Sequence, residues 1–148
     1  MVIAVPNEFG YVLLAASATF FVNSYHSILT SKARKASGIK YPTAYASAEV
    51  AEKDPKAFQF NCAQRAHANF TENLTPFLGE LFIAGLRYPQ LAASLGGVWA
   101  VARVFYAAGY TGAKGPAGRF GASVVSSLID FVLKGTAAYA AVKFVLEQ

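Results

Sequence analysis

Two stripes of polar residues stand inside otherwise apolar stretches. Arg65, Asn69, Glu72 and Pro76 fall at i, i+4, i+7 and i+11, one face of a helix. Arg103, Tyr106 and Tyr110 fall at i, i+3 and i+7, again one face. Ionisable groups among apolar residues are costly unless they pair or line a cavity. Arginines fork carboxylates with two parallel N–H bonds, Glu72 accepts from an ammonium group, and the amide and hydroxyls add further hydrogen bonds. The set suits a small zwitterion with carboxylates and an amine. A tripeptide fits, and so do other amino-acid-like ligands. A plainer reading has Arg65 and Glu72 neutralising neighbours, and Arg103 snorkelling from within about two turns of its helix end. The two stripes approach the same end of their helices, which mere neutralisation does not require.

Other reactive residue types carry less. Cys62 is the single cysteine, so no internal disulfide and no multi-cysteine metal site exists. Its neighbours offer no reason to lower a thiol pKa, so it is not read as a nucleophile. His26 and His67 are too few and too far apart for a metal site, and water or backbone is their expected partner. Asn69-Phe70-Thr71 and Asn73-Leu74-Thr75 match the glycosylation sequon, but both lie in an expected membrane span. Asp130 and Lys134, at i and i+4, are expected to pair on one helix.

The elements that position these stripes follow from composition. Hydrophobic residues make up 55% of the 148-residue chain and charged residues 14%, against about 25% charged in an ordinary soluble domain. So little charge leaves too little polar surface for water, and lipid is the expected solvent for the rest. The aromatics sit inside apolar runs rather than beside basic residues, which argues against nucleic acid as a partner. Residues 9–31 contain no Asp, Glu, Lys or Arg, and about 20 such residues cross a bilayer. The N-terminal run lacks a basic leader and is too long for a signal core, so it reads as a retained span. Four spans are expected, at about 9–31, 57–86, 89–111 and 119–146, with a water-facing loop from Lys32 to Lys56. Six of the 13 basic residues lie in that first connection, and Lys114 with Arg119 in the third; the second has Arg87 alone. The first and third connections are therefore expected on the cytosolic side, where both polar stripes end.

The run Phe60-Asn61-Cys62-Ala63-Gln64-Arg65-Ala66-His67-Ala68-Asn69, then Glu72 and Pro76-Phe77, resembles a family signature. So do Arg103-Val104-Phe105-Tyr106-Ala107-Ala108-Gly109-Tyr110-Thr111-Gly112 with Arg119 after it, and Ser31-Lys32-Ala33-Arg34-Lys35 with Tyr41-Pro42. The chain is similar to the membrane-associated proteins in eicosanoid and glutathione metabolism (MAPEG), and among them most to the microsomal glutathione S-transferase type 3 branch. The resemblance implies an all-α, transmembrane four-helix bundle that assembles as a homotrimer. It also implies glutathione as co-substrate, held in a cytosol-facing cleft between subunits. Arg34, Arg65, Asn69 and Glu72 would bind glutathione from one subunit, and Arg103, Tyr106 and Tyr110 from its neighbour. Arg119 would be the catalytic, thiolate-stabilising arginine, with Lys114 as a substitute because the Gly-rich connection leaves the register open. Asn73 stands where the leukotriene-synthase branch has tyrosine, and His67 where it has glutamine.

A free thiol with a pKa of about 8.5 is mostly protonated at neutral pH, and the thiolate is the nucleophile. Lowering that pKa by two units takes about 2.7 kcal/mol. One guanidinium, which keeps its charge in any protein environment, is of the right strength in a partly desolvated cleft. The resemblance thus implies a glutathione transferase acting on a hydrophobic electrophile or lipid hydroperoxide, with peroxidase and leukotriene C4 synthase-type chemistry as variants. The expected location is the endoplasmic reticulum or the outer mitochondrial membrane. The alternative from the same family is a non-catalytic, lipid-binding membrane scaffold.

Overall fold

The first helix does not stop where its charge-free run ends. In the computed structural model, which describes residues 5–147, α1 spans Phe9–Ser37. Lys32–Ser37 contains Lys, Ala and Arg, which favour helix, and the first residue able to end it is Gly38. Gly38 adopts φ 70°, and its N–H donates to the Arg34 carbonyl over 3.1 Å, a left-handed cap open to glycine without strain. The expected loop also contains a short helix, α2 (Ala48–Lys53), whose first turn is held by the Val50 N–H donating to Ser47 Oγ. α3 (Pro55–Gly85) opens on Asp54, whose carboxylate accepts from the Lys56 N–H, and on Pro55 in the first helical position. α4 (Pro89–Tyr110) also begins on a proline. A 3-10 turn (Gly115–Arg119) leads into α5 (Phe120–Leu146). Among the described residues there is no strand, and α1, α3, α4 and α5 form a four-helix bundle.

α4 is the axis of the bundle. It packs against α1, α3, α5 and the 3-10 turn. Its buried face reads Ala92, Gly96, Trp99, Arg103, Tyr106 and Tyr110, at i, i+4, i+7, i+11, i+14 and i+18. The lower half is apolar: Trp99 stacks on Phe77 of α3 with ring centroids 3.8 Å apart and planes 10° apart. The upper half is the Arg103 stripe, so the same geometry that buries Trp99 buries the charge.

The outer surface of the bundle is apolar. Phe21 of α1 and Phe131 of α5 are 77% and 76% exposed, with Leu14, Phe20, Phe105 and Leu128 also open. Contiguous apolar surface of this kind needs a partner other than water. α1 and α4 are each long and apolar enough to cross a membrane. At about 1.5 Å per residue, the 29 residues of α1 exceed a hydrocarbon core of about 30 Å.

Two contacts fix the bundle ends. At one end Arg87 donates from both terminal nitrogens to Glu147, over 2.6 and 2.8 Å, tying the α3–α4 turn to the end of α5. At the other, α4 and the 3-10 turn touch backbone to backbone. A methyl group at Gly109 would overlap the Gly118 carbonyl, and one at Gly118 would overlap the Gly109 carbonyl. Only glycine at both positions lets the turn approach closely enough to set Arg119 over Tyr106.

Gly109→Ala is therefore expected to destabilise the protein by about 1–3 kcal/mol, read as a lower unfolding midpoint in detergent. Gly97→Ala on the same helix, where an added Cβ meets nothing within 4 Å, should cost far less. Equal costs would remove the close contact as the cause. At the other end, the Arg87 hydrogen bonds, then Lys143, hold the Glu147 carboxyl below the usual carboxylate range. A depressed carboxylate stabilises above its unfolded pKa of about 4.3 and loses that contribution as pH falls. The midpoint difference between wild type and Glu147→Gln should accordingly close on going from pH 6 to pH 3, and a pH-independent difference would refute the assignment.

Candidate functional site

Arg103 enters the bundle interior because α4 places it one helical step beyond Trp99 on the buried face; it is 4% exposed. One terminal nitrogen donates to Asn69 Oδ1 of α3 over 2.8 Å. Its guanidinium lies over the Tyr106 ring, 4.3 Å from the centroid, with Trp99 at 5.5 Å and Phe70 at 5.8 Å. Aromatic faces attract a cation that water no longer solvates. From α1, the buried His26 places Nε2 3.3 Å from the Arg103 carbonyl and stacks on Phe70. The helix segment carrying Arg103 is thus gripped from two sides.

Arg119 closes the site from the 3-10 turn. It donates from Nη1 to the Tyr106 hydroxyl over 2.8 Å and from Nε to the Pro116 carbonyl over 3.3 Å. Its guanidinium also lies 5.0 Å from the Tyr110 ring centroid. Between these groups is a cavity of about 90 Å³, lined by Asn69, Asn73, Trp99, Arg103, Tyr106, Arg119, Ser123, Ser126, Ser127 and Asp130.

The residues singled out from sequence fall into three groups. Asn69, Arg103, Tyr106 and Arg119 come together on the cavity. They do so within one chain, whereas the resemblance implied that the α4 residues meet Asn69 across a subunit boundary. Tyr110 sits beside them, its ring 5.8 Å from that of Tyr106, without lining the cavity. Arg65 and Glu72 pair with each other over 2.8 Å on the outside of α3, with side chains 49% and 53% exposed. Such a pair contributes about 0–1 kcal/mol to stability. Arg34 stands elsewhere. It donates to the carbonyls of Thr43 (2.8 Å) and Ile39 (3.4 Å), and its guanidinium lies between the rings of Tyr41 (4.2 Å) and Phe60 (4.5 Å). The structure gives Arg34 the role of organising the loop after α1 rather than reaching towards the cavity. Lys114 is exposed and does not line the cavity; Arg119 does.

The sequence reading missed the α5 wall of the cavity. Ser123, Ser126 and Asp130 form a stripe at i, i+3 and i+7, the same signal that exposed the other two helices. Asp130 does pair with Lys134, over 2.8 Å, as its spacing suggests. His26 meets a backbone carbonyl as expected. His67 instead meets an amide side chain, Asn23 Oδ1 at 3.0 Å.

The donor set suits an anionic, multiply hydrogen-bonding ligand. Two guanidiniums converge with a phenol and an amide, and Arg103 Nε is buried without a hydrogen-bond partner among the described residues. The volume sets a limit: pockets that enclose a small organic ligand hold about 300–1,000 Å³, so this cavity admits part of a tripeptide and not the whole. The sequence matches the MAPEG family over residues 12–139, a stretch that includes α3 and α4 whole, most of α1 and α5, and every cavity residue. That match covers most of the chain, and the protein belongs to the MAPEG family.

Proposed function

We propose that this chain is an integral membrane glutathione S-transferase, with peroxidase activity towards lipid hydroperoxides, whose four long helices span the bilayer and whose active site opens to the cytosol. The observation that carries this reading is the Arg119–Tyr106–Arg103–Asn69 constellation at the basic end of the bundle. Spare cationic character favours a thiolate there, against the apolar surroundings, which favour the neutral thiol. The other charges along α3 and α5 pair as Arg65 with Glu72 and as Lys134 with Asp130 and Glu80.

In this reading the small cavity receives one end of glutathione, and the remainder lies along the outer face of α3. There the half-exposed Arg65 and Glu72 are free to exchange their mutual pair for a carboxylate and an ammonium. A site half inside one chain and half on its surface is completed by a neighbour, which supports a homotrimer with binding residues on both sides of each interface. Tyr110 borders the same mouth.

Arg119 holds the sulfur as thiolate. Its Nη1 bond to Tyr106 aims the guanidinium, and the Tyr106 hydroxyl in turn donates to the sulfur. Attack on an electrophilic carbon yields a thioether. Attack on the distal oxygen of a hydroperoxide yields an alcohol and a sulfenic acid. The hydrophobic acceptor approaches from the lipid side, along the apolar surface beside the cavity. The leukotriene C4 synthase-type reaction is one such conjugation, and membranes of the endoplasmic reticulum or outer mitochondrion supply such acceptors.

The direct test is ultraviolet absorbance of glutathione thiolate on the purified protein at neutral pH. Wild type should show it, and Arg119→Ala or Arg119→Leu should lose it. Tyr106→Phe, which removes the aiming hydroxyl and keeps the ring, should lower turnover about tenfold, the equivalent of one ordinary hydrogen bond at about 1.4 kcal/mol. Thiolate absorbance unchanged in Arg119→Ala would take the role from Arg119. Absence of glutathione binding by wild type would favour a lipid-binding scaffold instead.

A further inference from the structure

A buried carboxylate that the thiolate chemistry does not use sits on the opposite wall of the cavity. Asp130 is 9% exposed; Oδ2 accepts from Lys134, and Oδ1 is buried with no hydrogen-bond partner among the described residues. Arg103 lines the same cavity, is 4% exposed, and has Nε buried, likewise with no hydrogen-bond partner among the described residues. Lys134 has a second acid beside it, Glu80 of α3 at 3.6 Å.

Counted as ionised, Glu80, Lys134 and Asp130 together carry one net negative charge, with the two acid side chains each 13% exposed and that of Lys134 54% exposed. Arg103 keeps its positive charge under all conditions and has only an amide and aromatic rings against it. Leaving either end uncompensated costs several kcal/mol. Glu72, farther along α3, is already paired with Arg65 on the outside. Arg103 and Asp130 both line a cavity of about 90 Å³, walled in part by hydroxyls and amides, which has room and partners for bridging water.

We propose that Arg103 and Asp130 are joined through this cavity into a neutral row of alternating charges, Glu80–Lys134–Asp130–Arg103, which makes Asp130 a positioning residue for Arg103 and leaves Arg119 as the uncompensated cation of the site. The row crosses three helices, α3, α5 and α4. It explains why two acids flank one lysine: the fourth charge is Arg103. It also divides the work at the site. Arg103 is tied down and offers its remaining N–H groups to a ligand, while Arg119, held only by a phenol and a carbonyl, has its charge free for an anion. The last clause rests on the glutathione reading above; the row itself does not.

The row is tested first without any ligand, by unfolding midpoints of purified protein in detergent for Arg103→Gln, Asp130→Asn and the double variant. Each single substitution strands one charge and should lower the midpoint by about 5–15 °C. The double variant leaves Glu80 and Lys134 balanced, so its loss should be clearly smaller than the sum. If Arg103→Gln alone does not fold, the double variant should. Additive losses, or a double variant no better than Arg103→Gln alone, overturn the row. The second arm reads glutathione thiolate absorbance at neutral pH. Asp130→Asn should raise the ratio of thiolate to thiol and Lys134→Gln should lower it, each by about twofold or more. Changes in the same direction overturn the claim on Arg119. Absence of glutathione binding by wild type overturns that claim together with the glutathione reading, and leaves the unfolding cycle to decide the row.

Discussion

A guanidinium buried among helices cannot discard its proton, so everything around Arg103 must accommodate a permanent charge. Its surroundings are built accordingly. Three aromatic faces, from Phe70, Trp99 and Tyr106, lie against it, and Asn69 accepts from it. His26 holds the carbonyl of the same residue from α1. Because α4 contacts every other long helix, satisfying this one charge constrains the spacing of the whole bundle. Trp99, one turn away, fills the apolar half of the same face against Phe77.

Arg119 is placed by quite different means. It is not on a long helix but at the end of a 3-10 turn. Its reach to Tyr106 depends on the Gly109–Gly118 contact, where two backbones approach without side chains between them. A rigid interior cation and a peripheral cation on a short turn therefore share one phenol between them. The first is held inside the bundle by rings and an amide, the second at its end by a phenol and a backbone carbonyl. The loop after α1 is stiffened separately by Arg34 between Tyr41 and Phe60, and by Asn61, which exchanges two hydrogen bonds with the Ala46 backbone.

Membership of the MAPEG family and the apolar exterior of the bundle are two views of one fact. Helices this apolar on the outside are solvated by lipid, so the polar groups can only turn inward or towards one end. That explains why three polar stripes, on α3, α4 and α5, converge rather than scatter. It also explains why Arg65 and Glu72, on the one part of the α3 stripe that faces out, neutralise each other.

The sequence alone determined the helical class, the approximate position of the long helices, and the two stripes on α3 and α4. These are local or periodic properties: absence of charge over a run, and spacing near 3.6 residues. It also carried the family signature. It did not disclose that Lys32–Ser37 extends α1, because charged helix formers look the same in a loop as on an exposed turn. Nor did it separate Arg34 and Arg65 from Arg103, since an arginine in a stripe has the same spacing whether its neighbours are rings, carbonyls or solvent. Tertiary structure decided which charges are buried, that Asn69 and Arg103 meet within one chain, and that Asp130 shares their cavity. Those outcomes depend on distances between helices far apart in sequence, which no one-dimensional pattern records.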